Sequence, residues 1–244
     1  GQLAGTHTFV GSLSWQNGDL NNAGSTTIAG GSTLTIAGAA DHNFDSHAIV
    51  NHGTVVWTAG RIRSGHGGTI TNHGAWNDSG TGYALNNDYG GAGGTTFING
   101  VTGVYNKSGG TTSMLVPMDN SGVINISSGT LALGSTFVNT GTVAIAAGAT
   151  LSSAGALTFG AGSLFRGDGT LSAPSLTTAG AVAPGTASTS GLLTMSGNLS
   201  LQAASQALFE IGGTTLGTQH DHLAVTGTLA LDGTLAVRFI DGFD

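Results

Sequence analysis

Histidine and aspartate residues gather in one short stretch of the chain. Asp41, His42, Asp45 and His47 lie within seven residues of one another. Imidazole and carboxylate groups are ligands that Zn²⁺ and Ni²⁺ take in proteins. The stretch lacks the His-x-x-x-His spacing of a helical metal site, and the chain contains no cysteine. We therefore regard these four residues as candidate binding residues, and we assign no metal and no cofactor to them.

Two other histidines recur at the same place in a repeated sequence. His52 and His73 each stand between Asn and Gly, about twenty residues apart. If one coil of the fold has that length, the two rings lie above one another at a turn. A histidine ladder is our interpretation. A metal site at these residues, or at His220–His222, is the alternative.

Carboxylates and aromatic side chains suggest a second chemistry, the binding or cleavage of sugars. A paired-carboxylate glycosidase needs two carboxyl groups about 5 to 10 Å apart. The twelve acidic residues are spread along the chain, but loops can bring Asp41 or Asp45 near Asp88. Tyr83 and Tyr89 flank Asp88 and suit contacts with a sugar. Further candidate platforms are the three tryptophans, Trp15, Trp57 and Trp76.

A spaced pattern returns about every twenty residues: Asn-x-Gly-x-Φ-x-Φ-x-x-Gly, where Φ is apolar. It occurs at Asn51–Gly60, Asn120–Gly129 and Asn139–Gly148, and looser copies begin at Asn22 and Asn72. A fixed period of this length indicates one small structural unit that is stacked on copies of itself.

The repeat also has the pattern of short strands. Apolar residues at the second and fourth places after the first Gly alternate with small or polar residues, which is the period of a strand with one buried face. Glycine supplies 44 of the 244 residues and separates these runs. We predict an all-β fold, a right-handed parallel β-helix (β-solenoid) of about nine coils with roughly 19–21 residues each. At about 4.8 Å per coil, this gives a rod about 40 to 45 Å long.

Each coil is expected to begin at a turn whose asparagine bonds to its counterpart one coil away. The amide side chain can accept from a backbone N–H and donate to the next asparagine. We expect the glycine two residues later to adopt positive φ. The predicted ladder consists of Asn22, Asn51, Asn72, Asn99, Asn120 and Asn139, with Gly53, Gly74, Gly122 and Gly141.

The period is interrupted twice, at residues 38–47 and 79–94. We predict inserted loops there, and these loops hold the candidate binding residues Asp41, His42, Asp45, His47, Tyr83, Asp88 and Tyr89. We expect residues 1–30 to form irregular first coils, and residues 180–244 to form a C-terminal segment that is truncated within its motif. Together, residues 1–244 are expected to form a single β-solenoid domain.

Two opposite charges conflict with the repeat. Asp78 and Lys107 occupy the place where Trp57 is expected to point inward. If the register holds, the two must pair, because a lone buried charge is costly. We favour the alternative, in which the neighbouring insertion turns both side chains to solvent. Arg166 raises the same question, with Asp168 as its possible partner.

The balance of charge limits the partners. Five basic residues stand against twelve acidic ones, for a formal net charge of −7. Neutralising a phosphate backbone needs clustered Lys or Arg, so we do not expect nucleic-acid binding. No run approaches the roughly eighteen apolar residues of a membrane span, so we expect no membrane insertion by this segment.

Two C-terminal stretches resemble known sequences. Gly180–Leu201 is similar to the G-x-x-x-P-G … G-x-L-x-x-x-G-x-L-x-L segment of autotransporter passengers. Asp221–Val237 resembles the D-x-L-x-V-x-G-x-x-x-L-x-G-x-L-x-V segment that follows it in those proteins. The Asn-x-Gly coils resemble those of filamentous-haemagglutinin-like secreted β-helices. The resemblance implies a large bacterial adhesin or surface-filament repeat protein, secreted to the extracellular cell surface.

We therefore predict a non-catalytic extracellular structural or adhesive protein. It would be a rod-like β-helix that assembles end to end into a surface filament or projects a binding surface. Its expected partners are further copies of itself, in a head-to-tail homopolymer, or a host or matrix surface that includes glycans. No catalytic residue is assigned. A carbohydrate-binding or polysaccharide-cleaving β-helix enzyme is the alternative.

Overall fold

The chain folds as a parallel β-solenoid of about ten turns, with 60% of its residues in strands. A computed structural model describes residues 1–91, 93–186 and 188–243, and these residues form no helix. The described part of the chain thus holds no helix with the length and hydropathy of a membrane span. The predicted all-β parallel β-helix is confirmed, with about one coil more than expected. Its handedness stays a prediction.

The described residues form 29 strands, most of them only four residues long because the chain turns a corner after that length. They are β1 (Gln2–Leu3), β2 (Thr6–Phe9), β3 (Ser12–Trp15), β4 (Gly18–Ile28), β5 (Thr33–Ile36), β6 (His42–Asn51), β7 (Thr54–Trp57), β8 (Ile62–Gly65), β9 (Thr69–Asn72), β10 (Ala75–Asp78), β11 (Tyr83–Gly90), β12 (Thr96–Asn99), β13 (Val104–Lys107), β14 (Thr111–Met114), β15 (Met118–Asn120), β16 (Val123–Ile126), β17 (Thr130–Leu133), β18 (Phe137–Asn139), β19 (Thr142–Ile145), β20 (Thr150–Ser153), β21 (Leu157–Phe159), β22 (Leu164–Gly167), β23 (Thr170–Thr178), β24 (Ala181–Pro184), β25 (Leu192–Leu201), β26 (Gln206–Ile211), β27 (His222–Val225), β28 (Leu229–Ala230) and β29 (Thr234–Phe239).

Contacts divide the chain into two compact units. Unit 1 comprises Gly1–Ile124 and Gly129–Phe137, and unit 2 comprises Asn125–Ser128 and Val138–Asp244. Each unit has its own buried apolar interior. The assignment of residues 1–244 to a single domain stays a prediction.

In unit 1, a full coil contains three short strands. Strands β7, β8 and β9 form one coil, and β10, β11 and β12 of the next coil pair with them in parallel. The alternation in the sequence decides which side chains face inward. On β7, Val55 and Trp57 are fully buried, whereas Thr54 and Val56 are only partly covered. The nearest neighbour of a side chain is therefore the residue about one period away, in the adjacent coil.

The interior of unit 1 is filled by aromatic and aliphatic side chains. Trp76 meets Phe97 edge to face at a ring-centroid distance of 5.1 Å, and Phe97 meets Tyr105 in the same way at 5.5 Å. The indole of Trp57 donates its N–H to the Gly60 carbonyl at 2.8 Å. Such edge-to-face pairs add to the stabilisation that burial of apolar area provides. Trp57 and Trp76 have no exposed surface, so their predicted role as sugar platforms is wrong.

A ladder of asparagine side chains runs through four coils of unit 1. The Nδ2 of Asn51 donates to the Oδ1 of Asn72 at 2.7 Å, Asn72 donates to Asn99 at 2.8 Å, and Asn99 donates to Asn120 at 2.8 Å. All four residues are buried. Each asparagine that donates to the next member of the ladder also donates to a backbone carbonyl, as Asn51 does to that of Ala75 at 2.9 Å. The ladder thereby satisfies polar groups that the turns would otherwise leave unpaired.

Asn22 is not a member of this ladder. It lies within β4, where the register shifts between Asn21 and Gly24, and its φ is 69°. The residue that pairs with Asn51 from the preceding coil is Ile28, so the predicted coil start at Asn22 is wrong. Asn139, in unit 2, is buried, and its Nδ2 donates to the carbonyl of Gly141 at 3.4 Å.

The glycines beside the ladder are needed for a different reason from the one expected. Gly53, Gly74 and Gly122 do not adopt positive φ. A Cβ at Gly74 would instead lie 2.1 Å from the carbonyl oxygen of Gly53, and one at Gly122 would lie 2.2 Å from that of Gly103. The stacked turns approach so closely that no side chain fits between them. Positive φ occurs instead at the glycine that closes the motif, such as Gly60.

Strands occupy the places where loops were predicted. In 38–47, β6 begins at His42 and pairs with β4 and β8. In 79–94, of which residue 92 lies outside the described residues, β11 pairs with β8 and β14. Within 42–47, buried and more exposed residues of β6 still alternate around Ser46, but the outward side chains there, Asn43, Asp45 and Ser46, are polar. We predicted a loop there because a run of polar residues is typical of loops.

Unit 2 continues the same construction with less regular coils. Strand β23 pairs with both β20 and β21, and the ten-residue β25 pairs with β23, β27 and β28. A second stack runs from β19 through β22, β24 and β26 to β29. Residues 187 and 244 of the predicted C-terminal segment lie outside the described residues.

We expect Asn72→Ala to destabilise unit 1 strongly. The substitution leaves the Oδ1 of Asn99 buried without its donor and removes the acceptor of Asn51, which costs about 2 to 4 kcal/mol. The free energy of unfolding in urea measures this effect. Asn17→Ala is the matched control, because Asn17 is exposed. A loss for Asn72→Ala no larger than for the control would contradict the structural role of the ladder.

Candidate functional site

Six of the nine Asp, Arg and Lys side chains of unit 1 lie together on its outer surface. They project outward from β4, β6, β8, β11 and the residues beside these strands. We call this surface the charged face, and it consists of Asp19, Asp41, Asn43, Asp45, Arg61, Arg63, His66, Asp88 and Tyr89. Strand pairing positions them, because Asp19, Asn43 and Arg63 stand at the same register position in three successive coils.

Arg61 joins two carboxylates of the charged face. Its Nε and Nη2 donate to the two oxygens of Asp41 at 3.0 and 2.9 Å, and its Nη1 lies 3.4 Å from the Oδ2 of Asp88. The bidentate bond to Asp41 is the stronger arrangement. The hydrogen bond from Arg61 holds the pKa of Asp41 below its usual value. Asp41 is therefore ionised near neutral pH, which makes it unsuited to act as the general acid of a glycosidase.

Arg63 holds the neighbouring part of the charged face. Its Nε donates to the Oδ1 of Asn43 at 2.8 Å and lies 3.1 Å from the Oδ2 of Asp41. Its guanidinium also lies over the ring of Tyr89, 5.5 Å from the centroid, which is a cation–π contact. Asn43 in turn donates to Asp19 at 2.6 Å. The side chains of this face thus satisfy one another.

The structure places the predicted binding residues in three different locations. Asp41, Asp45, Asp88 and Tyr89 lie on the charged face, where Asp45 contacts the His66 ring nitrogen at 2.5 Å. Tyr83 lies at the opposite end of β11, paired with Thr112. His42 and His47 point into the interior and do not belong to a binding surface, so their placement in an exposed loop is wrong.

The two buried histidines have structural partners. The Nε2 of His42 lies 2.9 Å from the carbonyl of Trp15. His47 places its Nδ1 3.3 Å from the carbonyl of Asn22, which can only accept, so Nδ1 carries a proton. Its Nε2 lies 2.9 Å from the Thr26 hydroxyl. Burial lowers the pKa of His47 below its ordinary value, and nearby His7 acts in the same direction.

No set of three or more His, Asp or Glu side chains in the described part of the chain is placed to hold a metal ion. His52 and His73 are stacked, with ring centroids 5.1 Å apart and planes at 12°. This geometry is that of the histidine ladder predicted from the sequence. A Cβ at Gly100, in the next coil, would lie only 2.7 Å from the Nδ1 of His73. Glycine at that position therefore leaves room for the His73 ring.

Asp78 and Lys107 form a fully buried ion pair, so the outward orientation that we favoured from the sequence is wrong. Both side chains have no exposed surface, and Nζ lies 3.8 Å from Oδ1. They are directly opposed on β10 and β13, as the repeat requires. The inward register is maintained because every oxygen of Asp78 has a partner: Tyr105, Thr112 and the Gly80 N–H all donate to it.

Both charged groups of this buried pair are removed from water, and this shifts their pKa values. Burial raises the pKa of the Asp78 carboxyl, and Lys107 and the hydroxyl donors oppose the rise only in part. Burial likewise lowers the pKa of Lys107. The pKa of Tyr105 is raised well above its usual value by burial and by Asp78, so its hydroxyl stays protonated and donates. The ammonium completes its bonding with the carbonyls of Gly80 at 3.0 Å and Ser108 at 2.6 Å.

Unit 2 contains two buried acidic residues, Asp221, which lies within the predicted group His220–His222, and Glu210, which the sequence patterns did not single out. Asp221 is buried and accepts from the N–H groups of Gly191 and Glu210, both at 2.8 Å. Burial raises the pKa of Asp221. Glu210 is buried as well, and its Oε1 accepts from Arg238 at 2.6 Å. The sequence indicates Glu210 only indirectly. Charged residues make up just 7% of the chain, so each one requires a structural reason.

Comparison with known proteins does not assign a function to these groups. No protein-family model matches the chain, and neither a curated protein nor a solved structure is significantly similar to it.

We expect Lys107→Met to cost about 3 to 5 kcal/mol of unfolding free energy, because Asp78 then remains buried without its counter-charge. The double variant Asp78→Asn with Lys107→Met should lose less than the sum of the two single losses, by about 2 kcal/mol or more. Urea unfolding of the four proteins of this cycle provides the measurement. Asp119→Asn, a partly exposed acidic site, is the control. Additive losses would show that the two buried charges do not interact.

The stability of unit 1 should fall as the pH is lowered through about 6.5. Because the pKa of folded His47 lies below the ordinary value of 6.5, the unfolded chain takes up the proton first, and protonation favours unfolding. Urea midpoints between pH 7.5 and 5.5 test this. His47→Gln should flatten the dependence, whereas His73→Gln removes an exposed imidazole as a control. An unchanged slope in His47→Gln would refute the assignment.

Proposed function

We propose that this chain is a non-catalytic extracellular structural and adhesive protein whose solenoid associates end to end through its last coil. The observation that supports this most directly is the exposure of apolar side chains on β29. Leu235, Val237 and Phe239 are 66%, 46% and 61% exposed. They lie over Ala207, Phe209 and Ile211 of β26, at the positions where the earlier coils bury their apolar residues.

The last coil of unit 2 offers both kinds of contact that one coil makes with the next. An apolar cavity of about 830 Å³ opens there, lined by residues that include Leu201, Phe209, Leu229 and Leu235. Within the described residues, β29 pairs only with β26, so its other edge presents free backbone N–H and C=O groups. An unpaired edge beside an apolar surface is a template for another strand.

A second copy of the chain is the occupant that fits this surface. The first coil of unit 1 has a corresponding opening, a cavity of about 520 Å³ lined by apolar residues that include Leu3, Phe9, Leu13 and Trp15. Its strand β3 pairs only with β5 among the described residues, so it too has a free edge. Two unlike surfaces that fit each other give a head-to-tail contact, which extends into filaments rather than closed dimers.

The non-catalytic part of the proposal follows from how the reactive groups are used. Asp41 and Asp88 share Arg61, Asp78 is bonded within the interior, and His42 and His47 are buried. A carboxylate held ionised by an arginine is a poor general acid, and a side chain bonded within the interior does not reach a substrate. The extracellular location rests on the resemblance of Gly180–Leu201 to autotransporter passengers, and the charged face is the proposed adhesive surface.

We expect the purified chain to associate as its concentration rises, and Val237→Lys to prevent this. A lysine placed within an apolar contact loses its hydration without a partner, which should weaken association by at least about a hundredfold. Light scattering coupled to size-exclusion chromatography gives the mass at protein concentrations from about 2 to about 200 µM, a range in which weak interfaces form. Electron microscopy of the same samples shows whether filaments form.

Val138→Lys is the matched control, because Val138 is 55% exposed and lies on β18, which is distant from β29 in the sequence. This variant should associate like the parent chain. A parent chain that stays monomeric at all concentrations would remove the basis of the proposal. Equal association of Val237→Lys and the parent would show that copies meet through some other surface.

A further inference from the structure

A groove on the outer surface of unit 2 combines an apolar wall with charged side chains. Its volume is about 360 Å³, within the range of small-molecule sites. The wall includes Leu164, Ala183 and Pro184, and the charged residues that line it include Arg166 and Glu210. These residues come from β22, β24 and β26, which pair in succession.

Arg166 lies in this groove without a protein partner. It stands on β22 between Ala144 and Ala183 of the adjacent coils, and it is partly exposed. No hydrogen bond or ion pair joins it to any other described residue. Asp168, its possible partner from the sequence, accepts from the Leu192 N–H at 3.1 Å instead. A guanidinium is always charged and has five donors, so Arg166 is available to an anion.

Glu210, which lines the same groove, supplies an unfilled acceptor. The residue is 8% exposed, and its Oε1 is bonded to Arg238. The other oxygen, Oε2, is buried and has no hydrogen-bond partner in the described part of the chain. A buried acceptor without a donor is costly, and one explanation for such a group is a ligand that supplies the donor. Because Arg238 already neutralises Glu210, a neutral hydroxyl is sufficient.

We propose that this groove binds an acidic sugar, through a carboxylate on Arg166 and a hydroxyl donated to Glu210. The C–H face of the sugar ring lies against Leu164 and Pro184. A simple anion would satisfy Arg166 alone, and a neutral sugar would leave Arg166 unpaired. Asp221, which also lines the groove, does not compete, because both of its oxygens accept from backbone N–H groups.

The probe is a trisaccharide of hexuronic acid units, titrated into the full chain by calorimetry. Maltotriose, a neutral trisaccharide, and sulfate are run in parallel. The acidic trisaccharide should bind. Maltotriose should bind at least about tenfold more weakly because it cannot form the charge-assisted bidentate bond, and sulfate should do so because it makes no ring contacts. Glutamate tests whether an ammonium can replace the hydroxyl, and its preferential binding would overturn the sugar assignment.

Two variants locate the site. Arg166→Gln should weaken binding at least about tenfold, and Ala183→Leu should do so while it keeps the charge, since it fills the groove. Arg63→Gln, at an arginine of the charged face, should leave binding unchanged. Circular dichroism checks that each variant is folded.

Three results would overturn the proposal: no binding by the parent chain, equal binding by Arg166→Gln, or equal binding of sulfate. The groove is also lined by Val237 of β29, but the two substituted residues lie on β22 and β24, and sugar binding is measured separately from association. Failure of this test is therefore distinct from failure of end-to-end association.

Discussion

Parallel hydrogen bonding between coils is the constraint on which the rest of the structure depends. Because each coil bonds to the next about 4.8 Å away, the closest neighbour of any side chain is its counterpart one period along the sequence. A buried polar group must find its partner there or in the turn beside it. Asn72 meets this condition through an identical residue on either side. Asp78 meets it through an opposite charge, Lys107, and two hydroxyl donors.

The same closeness decides where side chains are forbidden. At Gly74 and Gly122 the carbonyl of the adjacent turn lies where a Cβ would stand, so glycine is required although the backbone itself is unstrained. At Gly60, by contrast, φ is 78°, and the requirement is conformational. The two glycines of one motif therefore have different causes. One permits stacking between coils, and the other permits the turn within a coil.

The parts of the fold that repeat could be predicted from the sequence, and the exceptions could not. The period identified the coil and the ladder from Asn51 to Asn120, because both depend only on spacing. Asn22 was misassigned, since a register shift in β4 moves the coil start to another residue. The side chains of β6 were read as a loop, because outward charges hide the alternation. The groove at Arg166 and Glu210 follows no period, so no spacing could reveal it.

The interior and the surface of this solenoid therefore differ in what they can do. Inside, polar groups such as Asn72, Asp78 and Lys107 hold one coil on the next, and removing one of them costs stability rather than activity. On the charged face, arginines and carboxylates neutralise one another. Among the described residues, unused bonding capacity remains at the edge of β29 that pairs with no other strand, and at the Arg166 side chain, which has no hydrogen bond or ion pair. A partner gains most from groups of this kind, whereas a partner on the charged face must exchange bonds that those side chains already make with one another.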